Sequence, residues 1–101
     1  MLLYNTTFHV DEDVQQNFLI WLNEAYVEEV KKTGLLVNPC LCRILSHKEE
    51  GSESFSLQWE VESSAALHQW HMQQGARLNS ELVKIFKDKV VGIPTLMEVM
   101  E

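Results

Sequence analysis

Phe55-Ser56-Leu57-Gln58-Trp59-Glu60-Val61-Glu62 alternates apolar and polar residues without a lapse. That period of two belongs to a β-strand with one buried face and one wetter face. Phe55, Leu57, Trp59 and Val61 form an inward row bulky enough to need a layer of helix against it. Ser56, Gln58, Glu60 and Glu62 form the other row, and what covers that row is the functional question.

Working outward, Leu2 to Val10 reads as a first strand. Hydrophobicity turns Phe8 and Val10 inward together with Tyr4 and Thr6, which leaves Leu3, Asn5, Thr7 and His9 on the second face. Asp11 is a candidate cap for a helix whose apolar stripe is Val14, Phe18, Trp21, Leu22 and Ala25. Trp21 and Tyr26 read as core packing. Gly34 ends this helix after Lys31-Lys32. Asn38-Pro39 breaks the chain, and Cys40 to His47 reads as the second strand, with Cys42 and Ile44 inward and Leu41, Arg43 and Leu45 outward. A polar hairpin loop containing Gly51 leads into the organising strand.

Beyond that strand, Ser63-Ser64 offers helix caps. Leu67, Trp70, Leu78, Leu82 and Ile85 then fall near one helical face. Gly75 interrupts them and predicts a kink or break, since glycine weakens a helix interior by about 1 kcal/mol relative to alanine. Asp88 to Met100 closes the chain as a strand that Pro94 confines to an edge or bulge, with Leu96 and Glu98 on the open face. The order β-α-β-β-α-β with right-handed crossovers predicts an α+β, ferredoxin-like domain over residues 1–101. Its antiparallel sheet is ordered 4-1-3-2, and both helices lie on one face.

The open face then gathers Asn5, Thr7, His9, Arg43, Gln58 and Glu60, the candidate ligand-binding residues. The mixture is too apolar for an ordinary wet face and too polar for a core. Two readings fit it: a face that packs on its twin in a homodimer, or the wall of a cavity for a small molecule. A plain solvated face is the bland alternative. Glu60 and His9 could pair as acid and base across the central strands, though a structural hydrogen bond is the simpler reading.

Composition removes other classes. The net charge is −7, and the eight basic residues are scattered, which argues against a nucleic-acid partner. No basic tract flanks an apolar helix, so a membrane surface is not expected. The N-terminus lacks a signal-peptide pattern and no apolar run could span a bilayer, so a cytoplasmic protein with reduced Cys40 and Cys42 is expected. Those cysteines with His68 and His71 have the wrong spacings for zinc, and the topology keeps the two pairs apart. No metal site is expected.

The stretches Tyr4-Asn5-Thr6-Thr7-Phe8, Leu41-Cys42-Arg43-Ile44-Leu45, Ser56-Leu57-Gln58-Trp59 and Thr95-Leu96-Met97-Glu98-Val99 occur in this order around Phe18-Leu19-x-Trp21-Leu22. Together they resemble a family of short bacterial proteins, the domain of unknown function numbered 4286, over nearly the whole chain. Members of that family often have His where Tyr26 stands and Pro where Glu28 stands. The architecture also resembles the dimeric α/β-barrel group, some of whose members are cofactor-independent or haem-degrading monooxygenases. That resemblance implies a second function, an oxygenase or isomerase acting on an aromatic or polyketide-like small molecule in a cavity. The haem-degrading members would place Asn5 on the first strand with Trp70 on the second helix. Their histidine ligand is missing, because the matching stretch offers Asn79 and Ser80 and the helical spacing turns His71 elsewhere. No cofactor, haem included, is therefore expected.

Overall fold

The computed structural model describes residues 1–46 and 48–101. It shows a four-stranded antiparallel sheet in the order β2-β3-β1-β4, the expected 4-1-3-2 read from its other edge. β1 (Leu2–Asp11) leads through a 3-10 turn (Glu12–Val14) into a first helical arm. That arm runs without a break through α1 (Gln15–Trp21), a π-helical segment (Leu22–Val27) and α2 (Glu28–Thr33). β2 (Leu36–Ile44) and β3 (Ser52–Val61) form a hairpin. The second arm comprises α3 (Ser64–Trp70), a second π-helical segment (His71–Gly75) and α4 (Ala76–Phe86), and after a 3-10 turn β4 (Val90–Glu98) ends the fold.

The organising strand lies as its alternation requires. Phe55, Leu57, Trp59 and Val61 are all buried, beside Phe8 and Val10 of β1. Register places Phe8 opposite Phe55, Thr6 opposite Leu57 and Tyr4 opposite Trp59. Phe18, Leu22, Tyr26 and Val30 from the first arm cover this row, joined by Trp70, Leu78, Leu82 and Phe86 from the second. Phe18 is the hub: its ring lies 5.1 Å from that of Phe8, 5.8 Å from Phe86 and 6.2 Å from Phe55. Full burial of each such side chain contributes about 1.5–3 kcal/mol, so this layer holds the sheet and helices together.

Local signals resolve in detail. Ser63 caps α3, its Oγ accepting from the backbone N–H of Ala66 at 3.1 Å. Gly34 ends the first arm at φ 70°, and Gly51 turns the hairpin at φ 83°. Asp11 makes no cap hydrogen bond; it is the last residue of β1, and the N–H of Glu12 donates to the Gly51 carbonyl instead. Phe86, not Ile85, is the last buried residue of α4, and Ile85 is exposed.

Two expectations about strand faces are corrected by register. Asn38-Pro39 does not precede β2 but sits inside it as a bulge, with Asn38 at φ 53° and a register shift between Val37 and Cys40. One inserted residue reverses every side chain beyond it. Cys40 and Cys42 therefore lie opposite Gln58 and Ser56 on the open face, while Leu41 and Arg43 lie opposite Leu57 and Phe55 on the helix side. His47, expected in this strand, is outside the described residues. In β4, Gly92 pairs with Phe8, Pro94 with Thr6, Leu96 with Tyr4 and Glu98 with Leu2, so Leu96 and Glu98 belong to the helix side. Gly92 selects that register, because a Cβ there would come within 3.1 Å of the Phe8 ring.

Gly75 does not break the second arm. Its φ of −61° and ψ of −44° are helical, and the irregularity takes the form of a π-helical turn. Both arms thus carry a π segment near mid-length, a geometry that is rare and concentrates at functional sites.

Candidate functional site

Two regions emerge, one on each side of the sheet. The open face is built from Leu3, Asn5, Thr7 and His9 of β1, Ser54, Ser56, Gln58 and Glu60 of β3, Cys40, Cys42 and Ile44 of β2, and Val91, Ile93, Thr95 and Met97 of β4. Of the expected site residues, Asn5, Thr7, His9, Gln58 and Glu60 share this face. Arg43 does not. Its guanidinium sits 5.0 Å above the Phe55 ring centroid, on the helix side, and pairs with Glu53 at 3.2 Å.

Asn5, Thr7 and Ser56, and His9 with Ser54, are hydrogen-bonded to one another across the face. Asn5 Nδ2 donates to Thr7 Oγ1 at 3.2 Å, and Ser56 Oγ donates to Asn5 Oδ1. His9 Nδ1 and Ser54 Oγ are 2.8 Å apart. Glu60 lies opposite Leu3 and His9 opposite Ser54, so these two do not meet and form no acid–base pair. Cys40 and Cys42, both exposed, hold their thiols 3.7 Å apart, and the hydrogen bond between them raises the Cys42 thiol pKa. His68 and His71 lie on the opposite side of the sheet, and among the described residues no group of three or more His, Cys, Asp or Glu could hold a metal ion.

Around this lattice runs an apolar margin. On β4, Val91 and Ile93 are 51% and 49% exposed with Met97 open beside them, and Val37 stands open on the opposite edge strand. In a chain with 23% charged residues, the middle of the face has none.

The second region is a cavity of about 280 Å³ between the sheet and the second arm. Tyr4 and Thr6 of β1, Tyr26 from the first π segment, and Trp70, His71 and Asn79 of the second arm supply its polar groups. Phe8, Leu82, Gly75, Gly92 and Pro94 complete the wall. Trp70 and His71 also line an adjoining hollow with Ser64 and Leu67. Burial raises the Tyr4 hydroxyl pKa, only partly offset by a hydrogen bond with Thr6. Burial, then the neighbouring Tyr4, pushes Tyr26 still further up. Both remain neutral phenols at ordinary pH. Trp70 is 2% exposed, and its indole N–H has no acceptor among the described residues.

Sequence reasoning missed this cavity, although one signal was present. Tyr4 and Thr6 occupy inward positions of β1 where a closed core would take aliphatic side chains. His71, next to Trp70 but exposed, lines the rim of the same cavity. Asn5 and Trp70 are on opposite sides of the sheet, so they cannot bracket one ligand. By itself the cavity lies just below the ~300–1,000 Å³ of pockets for drug-sized ligands.

The chain matches the family described as a domain of unknown function (DUF4286) over residues 1–100, and it belongs to that family. No curated protein matches it. Solved structures share its fold at low identity. A dimeric ferredoxin-like protein from an uncultured marine organism superposes with a TM-score of 0.71 and 13% identity, covering 99% of this chain and 96% of that one. A protein described as a putative antibiotic biosynthesis monooxygenase from Deinococcus radiodurans gives 0.70 and 16%, covering 100% and 94%. An ethyl tert-butyl ether d (EthD) family protein from Bacillus halodurans gives 0.69 and 14%, covering 99% and 100%. The fold is ferredoxin-like, and among its neighbours are proteins described as dimeric.

Proposed function

We propose that this protein is a homodimeric binding module of the cytoplasm, two copies pairing through their open sheet faces. The observation that carries the reading is a face with no charge in its middle, Glu60 standing near one end, where Asn5, Thr7 and Ser56 are hydrogen-bonded to one another and Val91, Ile93, Met97 and Val37 lie exposed on the edge strands. A solvated face has no reason to exclude charge, whereas a buried one does, since an unpaired charge is costly to desolvate. Size agrees. Four strands of nine or ten residues span about 30 by 19 Å at ordinary strand rise and spacing. The accessible area of so corrugated a face approaches the ~800 Å² per partner of a standard interface. Structural neighbours described as dimeric support a homodimer.

Ile93→Asp tests the reading against Ile20→Asp, a control at an equally exposed site on the first arm. In sedimentation velocity, the change at Ile93 should yield monomer and the change at Ile20 should leave the dimer. Equal behaviour of the two variants would contradict the assignment of the interface to the sheet.

A second reading is favoured by one observation, the cavity beneath the second arm. A cofactor-independent oxygenase or isomerase needs a pocket with hydrogen-bonding groups, and Tyr4 and Tyr26 in the wall with His71 and Asn79 at the rim supply them. The monooxygenase description attached to a structural neighbour points the same way by analogy of fold alone. Turnover of a bound aromatic compound by the purified protein under air, lost on Tyr26→Phe or His71→Ala, would establish it. Binding without turnover would leave the protein a binding module.

A further inference from the structure

We propose that Cys40 and Cys42 form a two-thiolate site for a soft, thiophilic metal ion, and that the ion it selects is monovalent copper. The inference does not rest on the sheet pairing. β2 is an edge of the sheet, so the two thiols stand at the rim of the proposed interface.

Free cysteine is among the most buried of residue types, and chemistry rather than packing explains it elsewhere. Here two are exposed side by side. The bulge puts them there. The register shift between Val37 and Cys40, with Asn38 at φ 53°, turns both thiols to the open face, opposite Gln58 and Ser56. An unbroken alternation would carry both toward the helix layer. Two residues apart on one strand, they project from the same face, and their sulfurs lie 3.7 Å apart. Two metal–sulfur bonds of about 2.3 Å reach at most about 4.6 Å from sulfur to sulfur, so a single ion spans the pair without moving the backbone.

The ligand count chooses the ion. Thiolates are soft and select monovalent copper or zinc among common ions. A closed zinc site takes four ligands, and among the described residues no third His, Cys, Asp or Glu joins the pair. Monovalent copper, with its filled d shell, is satisfied by two thiolates. Charge agrees. Arg43, the one charged residue of β2, is turned to the helix side and held by Glu53 at 3.2 Å, so it does not repel a cation at the thiols. The chain's charge of −7 attracts one. Binding releases the two S–H protons to solvent and forms two copper–sulfur bonds, and the copper stays monovalent throughout.

Competition with bicinchoninate for Cu(I), in the absence of oxygen, tests the site. The unmodified chain should take up one copper per chain. Cys40→Ser and Cys42→Ser should each bind about a hundredfold more weakly or worse, because the second ligand is no longer held at high effective concentration. Cys42→Ser combined with Leu41→Cys keeps two thiols but sets them on opposite faces, and it should behave like the single-thiol variants. Serine at these exposed positions leaves the core untouched, which circular dichroism checks, so the single variants decide even if the relocated pair folds poorly. Zinc should stay with a competing pyridylazo-resorcinol dye. Failure to take copper from bicinchoninate, or a single-serine or relocated variant as tight as the parent, would overturn the site. Zinc held against the dye would overturn the choice of ion, and one copper per two chains would overturn a site built within one chain. Sedimentation of the metal-free protein reports on the pairing separately.

Discussion

Trp70 rests edge-on against Gly75, so closely that a Cβ on residue 75 would lie 2.8 Å from Cζ3 and 3.0 Å from Cη2 of the indole. Both residues are buried, and both belong to the cavity wall. Gly75→Ala should therefore destabilise the protein even though alanine is the better helix former. Overpacking costs about 1–3 kcal/mol against a propensity gain of about 1 kcal/mol. A urea series should show a lower midpoint at unchanged slope, and a raised midpoint would mean the indole moves aside freely.

Trp59 is 1% exposed at the centre of the sheet. Trp59→Ala should cost about 3–5 kcal/mol, as for other buried aromatics cut back to a methyl. Trp59→Phe should cost clearly less, because it keeps a ring and removes an N–H that finds no acceptor among the described residues. Urea unfolding of the two variants measures both, and a loss under about 1 kcal/mol for the alanine form would refute the central packing.

Glu53 carries a pH dependence. The hydrogen bond from Lys48 first, then the charges of Lys48 and Arg43, hold its carboxyl below the usual range. A lowered folded pKa means stability that is present above the unfolded value and lost as pH falls through the folded one. Between pH 5 and pH 3, Glu53→Gln should lose less stability than the parent in parallel urea titrations. Identical pH slopes would show the ion pairs to be inert.

Hemin should not bind specifically. By itself the cavity lies just below the range of pockets for drug-sized ligands, and its single histidine, His71, shares the space with Trp70 and two tyrosines. Titration should give no saturating Soret shift. A sharp shift ending at one haem per chain and abolished by His71→Ala would contradict this.

Much of the fold was legible because strong local patterns agreed. The alternation from Phe55 to Val61 named the buried face, Gly34 and Ser63 marked helix ends, and Pro94 marked an edge strand. What failed depended on register. Asn38-Pro39 reads equally as a break before a strand or a bulge within one, and only the pairing of Cys40 with Gln58 decides. Arg43 fell on the wrong face for that reason alone. β4 alternates weakly, so its faces were set by Gly92 accommodating Phe8, a contact between distant segments. Five of the six open-face candidates lie where alternation put them, while the cavity, walled by side chains from the sheet and both arms, answers to no single local period.

The pairing of two open faces is most directly tested by sedimentation equilibrium of the unmodified protein at about 10 µM, roughly tenfold above a micromolar Kd. The account predicts a single species at twice the 11.7 kDa mass of the chain, reverting to monomer when Ile93 is replaced by aspartate. A clean monomer at that concentration, with Ile93 left intact, would contradict it.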